Sequence, residues 1–160
     1  MTDVALRPLE PADHDAVRAI LAEPSVARWW GPVGADITDE FERPQAVVAG
    51  GELAGVVDVW QEDEPDYRHA GLDIVLGERF QGRGVGRRAV ALAARYAFEE
   101  LGHHRITIDP AAGNERAIAC YAAVGFRPVG VLRAYERDRD GDGWHDGLLM
   151  DLLRDELVLF

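Results

Sequence analysis

Residues 70 to 98 read AGLDIVLGERFQGRGVGRRAVALAARYAF, and the passage changes period halfway. Its first seven residues alternate, which puts Leu72, Ile74 and Leu76 on one face of a strand and Asp73 and Val75 on the other. From about Gly84 to Leu101 the pattern becomes that of one helix, stopped at Gly102, with an exposed side traced through Arg88, Arg95 and Glu99. Between strand and helix lie Gly82, Gly84 and Gly86, alternating with Arg83 and Val85 and followed by Arg87 and Arg88. A strand that enters a helix through glycines leaves backbone N–H groups unshielded, and the helix start adds roughly half a positive charge of dipole. The corner is either an anion cradle or a tight turn that needs glycine for its backbone angles. It is not a Walker loop, since no Gly-Lys-Ser/Thr follows. The spacing and the downstream acidic residue of the dinucleotide fingerprint are missing as well.

Working outward, the order of elements is mixed α/β. Towards the N-terminus, VALRPLE reads as a strand and Asp13 to Leu21 as a helix, with Ala16, Val17, Ile20 and Leu21 at helical spacing. Residues 24 to 44, with VARWWGP, suggest a short helix and a loop. QAVVAGGELAGVVDVWQ reads as two strands meeting at Gly50-Gly51, a dipeptide suited to a tight hairpin. Beyond the long helix, RITID is a short strand. Asn114 to Val124 is a helix with Asn114 as cap and Gly125 as terminator, and FRPVGVLRAYER and GLLMDLL are two strands around a polar turn. Strands on both sides of two central helices predict one domain over residues 1 to 160, with a mixed, mostly antiparallel sheet of six to seven strands flanked by helices.

The bulk composition narrows the partners. The chain has 160 residues, 48% of them hydrophobic, and a formal net charge of -12. That balance repels nucleic acid and attracts small cations, although an acidic surface also serves solubility alone. No leader-like segment or membrane-length apolar run stands out, so the expected location is cytoplasmic. The single Cys120 forms no internal disulfide, and no Cys/His cluster has zinc spacing. DRDGDGWHDGLL, residues 138 to 149, begins like a calcium loop, but its twelfth position is Leu149 and strands flank it, so a hairpin turn and no metal are expected.

Two motifs carry a family resemblance. Gln81-Gly82-Arg83-Gly84-Val85-Gly86 resembles the Q/R-x-x-G-x-G/A signature of the GCN5-related N-acetyltransferase (GNAT) superfamily. NERAIACYAAVGF matches that superfamily's second signature through Asn114, Ala117, Tyr121, Gly125 and Phe126. ARWWGP, HAGLDIVLG and IDPAAGNERAIACYAAVGF are further similar to aminoglycoside 6'-N-acetyltransferases, and also to the lysine N-acyltransferases of siderophore assembly. The resemblance implies that acetyl-coenzyme A is the cosubstrate, its pyrophosphate held by Gln81 to Arg87 and its pantetheine arm lying beside Ile74, Val75 and Leu76. Asn114 and Ala117 complete that expected coenzyme site, Asn114 either touching the pantetheine or only capping its helix.

Acetyl transfer to an amine needs a base, a stabilised oxyanion and a proton for the departing thiolate. Asp73, mid-strand, is the candidate base, or else a carboxylate paired within the sheet. Tyr121 lies on the same helix side as Asn114, and by resemblance it points at the coenzyme sulfur, as proton donor or as a cofactor contact only. Cys120 is turned about 100° from Tyr121 along the helix and is expected in the core rather than as a nucleophile. Trp29 and Trp30 are either an aromatic wall for a cation or anchors of the first helices. Asp58, Trp60, Asp109 and Asp146 are candidate acceptor contacts, each equally readable as solvated surface. The expected partner is a cationic amine such as an aminoglycoside, acting on a monomer or homodimer. Lysine-type and protein acceptors, or a non-catalytic acyl-coenzyme A sensor, are the competing readings, and Asp73 and Tyr121 argue against the last.

Overall fold

The computed structural model describes residues 2 to 160. Seven strands form one sheet: β1 (Val4–Pro8), β2 (Pro44–Ala49), β3 (Glu52–Glu62), β4 (His69–Leu76), β5 (Arg105–Ile108), β6 (Arg127–Arg137) and β7 (Trp144–Leu153). Their spatial order is β1-β2-β3-β4-β5-β7-β6. Every neighbouring pair is antiparallel except β4 and β5, which run parallel. The helices are α1 (His14–Leu21), α2 (Pro24–Trp30), α3 (Val85–Glu99) and α4 (Glu115–Val124). This is the mixed, mostly antiparallel architecture expected from the sequence, with the upper strand count.

Alternation along β3 and β4 assigns the two layers. Val57 and Val59 pair with Ile74 and Leu72 and face α3 and α4, in the core that also holds Ile106, Met150 and Phe98. Val56 and Val75 pair on the opposite face and pack under α1 and α2 with Val17, Leu21 and Val26. α3 turns alanines 89, 93, 94 and 97 to the sheet, so its axis lies close to the strands. Complete burial of Phe98 between these layers contributes on the order of 2 kcal/mol.

The turns follow their chemistry. Gly50 and Gly51 have φ of 58° and 83° and join β2 to β3, as the hairpin dipeptide predicts. Gly125 ends α4 in the left-handed region, and Asn114 caps that helix by accepting the Ala117 N–H at 3.2 Å. Residues 138 to 143 close the β6–β7 hairpin, with the Asp138 N–H donating to the Gly143 carbonyl at 2.9 Å. Among the described residues no helix is long and apolar enough to cross a membrane.

Candidate active site

β4 and β5 pair only at Ala70 with Ile106 and Gly71 with Thr107, and then diverge. From Leu72 onward β4 has lost its neighbour on that side, so part of its backbone edge is left without a ladder partner. Unpaired backbone groups call for a hydrogen-bonding chain. Ile74 and Leu76 flank the resulting slot on one side, and Ile108, Asn114 and Ala117 flank it on the other. An extended arm containing amides suits such a slot.

The slot runs into the glycine corner. Gly84 is the N-cap residue just before α3, with φ of 80°, and no side chain caps the helix. The first amides of α3 are therefore left pointing outward, beside Arg83 and Arg87. Gln81 braces the corner: its side-chain amide donates to the Leu76 carbonyl at 2.9 Å and its oxygen accepts from Arg116 at 3.2 Å. A third arginine thus stands beside the cradle. The unshielded amides fit a diphosphate, with Arg83 beside them, Arg116 held by Gln81 and Arg87 stacked on the Phe160 ring at 4.8 Å. The Val85 side chain is buried in the core, so only its backbone belongs to the corner.

Slot and cradle belong to one cleft of about 1230 Å³, whose other end is acidic. Asp73 and Asp109 line it together with Glu136 and Glu40. Burial is the main force on Asp73, and the charges of Asp109, Asp58 and Glu136 add to it, so its pKa is raised to about 7. The Trp60 indole opposes that shift weakly through a hydrogen bond. Asp109 accepts the hydroxyl hydrogen of Tyr135. Tyr121 lines the same cleft, buried against Phe126 at 6.3 Å between ring centroids, and burial holds its phenol well above the ordinary range. The cleft therefore presents a carboxylate that titrates near neutrality, and a phenol that keeps its proton.

Three expected acceptor contacts, Asp58, Trp60 and Asp146, are not among the residues that line the cleft. Asp58 does not face the cleft: its carboxylate accepts the Arg43 N–H at 2.7 Å and the Glu42 N–H at 3.0 Å, tying down the start of β2. Trp60 lies across Gly71, where a Cβ would come within 1.9 Å of its ring, and meets His69 edge-on. Asp146 accepts the Ala134 N–H at 2.8 Å and holds a bulge in β6. Trp29 and Trp30 both line the cleft. Trp30 also packs on Phe41 at 5.8 Å, and the Arg28 guanidinium stacks over Trp29, so the pair combines wall and anchor.

Cys120 corrects an expectation. It lines the cleft along with Tyr121, because the cleft is broad enough to span both faces of α4. Burial pushes its thiol up to about 11, which leaves it a poor nucleophile at neutral pH. Tyr135 and Glu136 were not singled out in the sequence. Glu136 reaches the cleft, and Tyr135 reaches Asp109, where the register shifts between Leu132 and Glu136 around a left-handed Ala134 with φ of 47°. No alternation rule signals that bulge.

The chain matches the family model described as acetyltransferase (GNAT) domain over residues 3–127. It is 33% identical over 141 residues to spermidine N(1)-acetyltransferase of Escherichia coli strain K12, spanning 81% of this chain and 75% of that protein. It is 27% identical over 153 residues to aminoglycoside N(6')-acetyltransferase type 1 of Klebsiella pneumoniae, spanning 81% and 76%. The structure of spermidine N-acetyltransferase from Vibrio cholerae in complex with CoA and spermine superposes with a TM-score of 0.79 at 25% identity, covering 96% of each chain.

Proposed function

The chain belongs to the acetyltransferase (GNAT) domain family and is an acetyl-coenzyme A dependent N-acetyltransferase, and on that premise we propose that its acceptor is a primary amine of a small polycation. The observation that carries this reading is the gathering of Asp73, Asp109 and Glu136 in one cleft that ends at the cradle. A single carboxylate would serve any amine. Several together favour an acceptor with several charges. The aminoglycoside 6'-amine is the acceptor pointed to by the Trp-Trp-Gly element and the approach to α4, and its class is represented by the Klebsiella relative. A linear polyamine is the second reading, favoured by the higher identity to the Escherichia coli relative.

Acetyl-coenzyme A in this cleft supplies the acetyl group as an activated thioester. The amides at the start of α3, with Arg83, Arg87 and Arg116 around them, would hold its diphosphate. The open edge of β4 at Ile74 to Leu76, with Asn114 and Ala117 opposite, would hold the amide-bearing arm. Asp73 orients the incoming ammonium and accepts its proton, a task for which a pKa near 7 is suited. Asp109, fixed by Tyr135, and Glu136 hold the remaining positive charge. Tyr121 would donate a hydrogen bond to the sulfur as negative charge gathers there. Its raised pKa means that the proton is shared with the thiolate rather than given up.

Release of free thiol from acetyl-coenzyme A, followed across kanamycin, spermidine, free lysine and a peptide N-terminus, tests this reading. Release with the first two and little with the last two is expected. Turnover confined to lysine or the peptide would overturn it.

A further inference from the structure

Arg139, in the β6–β7 turn, reaches over the acidic end of the cleft. Its guanidinium pairs with Glu136 at 3.0 Å. It also lies against the backbone of Gly31, just past α2, where a Cβ would sit 2.6 Å from Nε. Gly31 has φ of 89°, a backbone angle that favours glycine there. Arg139 thereby spans from the hairpin to the Trp-Trp-Gly segment. It lines the cleft on one side and a smaller pocket behind α2 on the other. The imidazole of His145 also lies near Glu136, at 3.9 Å, and its Nδ1 is already engaged by Asp138 at 2.9 Å.

We propose that Arg139 is a specificity-determining residue: a tethered cation that holds Glu136 until a second positive charge on the acceptor displaces it. The inference rests on the polycationic acceptor proposed above. An amine with one charge is drawn to Asp73 and leaves the Arg139–Glu136 pair in place. A polycation must break that pair, trading the tethered guanidinium for its own second charge. Acetylation removes one positive charge from the acceptor, so the product holds Glu136 less well and Arg139 recovers its partner. The residue takes no part in bond making. It sets how tightly polycations bind and how readily the neutralised product leaves.

Calorimetric titration of the full chain with spermidine and with propylamine tests this. Arg139→Met, which keeps length and loses charge, should bind spermidine about fivefold more tightly and propylamine within about twofold of the parent. Arg139→Lys should restore the parent's affinity for spermidine, and high salt should erase the difference. In a Glu136→Gln background Arg139→Met should change nothing, a control that does not depend on the stability of the single variant. Equal effects on both amines, weaker spermidine binding, or failure of lysine to restore would overturn the proposal and leave Arg139 as packing for Gly31. If the parent acetylates polyamines while Arg139→Met binds them no better, this inference falls and the acceptor reading stands. If neither protein binds spermidine, propylamine or kanamycin, both fall.

Discussion

Asp58 and Asp73 face each other across β3 and β4, one register pair with two chemical fates. The Asp58 carboxylate is held by the amides of Glu42 and Arg43. Asp73 has only the weak Trp60 indole contact, and the charge of Asp58 is one of the forces raising its pKa. The sheet thus uses a satisfied carboxylate to strengthen the proton affinity of an unsatisfied one. A base suited to neutral pH follows from the burial of Asp73 first, and from the charges of Asp109, Asp58 and Glu136 after it.

Asp73→Asn should lower kcat by about a hundredfold or more while coenzyme A binding, read by calorimetry, changes little. It should also stabilise the fold at alkaline pH. The folded-state pKa of Asp73 is above its ordinary value of 3.8, so its contribution to stability is complete below that value and is lost as pH rises through about 7. At pH 8 the variant's melting curve should lie above the parent's by about 2 kcal/mol, allowing for partial exposure, and at pH 4 the two should coincide. Equal losses of kcat and of coenzyme affinity would mean that Asp73 is not the base.

Asp109 is the largest charge acting on Asp73. Asp109→Asn keeps an oxygen for the Tyr135 hydroxyl and removes that charge, so the pKa of Asp73 should fall. The acidic limb of kcat/KM against pH should move down by about half a unit to one unit. An unmoved limb would show that some group other than Asp73 controls the rate there.

The strand order of the centre, the glycine corner and the capping by Asn114 were legible because each rests on local rules: alternation, uncapped helix start, Asx geometry. Asp58, Trp60 and Asp146 are candidates through the family resemblance and not through local rules, and their positions turn on contacts between different elements. Alternation puts Asp58 and Asp73 on one face of the sheet, but it does not reveal that the chain before β2 folds back to offer Asp58 two amides. That Trp60 lies across the bare Cα of Gly71 is likewise a cross-strand relationship that no local pattern carries. Tyr135 and Glu136 were invisible for a related reason. Their aim depends on a β-bulge whose left-handed residue is alanine, not the glycine that would have marked it. Long-range contacts decided each of these positions.

Gly84→Val tests the cradle. The residue sits at φ of 80°, where a β-branched side chain costs about 1 to 2 kcal/mol, and its side chain would crowd Arg87, whose Nε lies 3.4 Å from the site of a Cβ. The melting temperature should fall, and coenzyme A should bind at least about tenfold more weakly. Gly84→Asn separates the two effects, since asparagine tolerates this conformation: it should recover most of the stability and little of the affinity. Full recovery of binding by asparagine would mean that the corner needs glycine for its turn and not for a ligand's approach.

Arg7 and Asp13 fasten β1 to the start of α1, far from the cleft, through paired contacts of 2.7 Å and 2.8 Å. The Asp13 carboxylate also accepts the Glu10 N–H at 2.9 Å, and its side chain is almost fully covered. The Arg7 hydrogen bonds are the main cause of its pKa falling to about 2, against the opposing effect of burial. Because the folded-state value is depressed, the pair's contribution to stability is present above the ordinary value of 3.8 and is lost as pH falls through about 2. Asp13→Asn should therefore cost about 1 to 2 kcal/mol at pH 7, the lower figure allowing for screening of the partly exposed Arg7. The cost should shrink steadily between pH 4 and pH 2, with acetyl transfer by the folded protein unchanged at pH 7. A penalty that stays constant down to pH 2, measured by urea unfolding, would assign the loss to the Glu10 hydrogen bond and packing rather than to the ion pair.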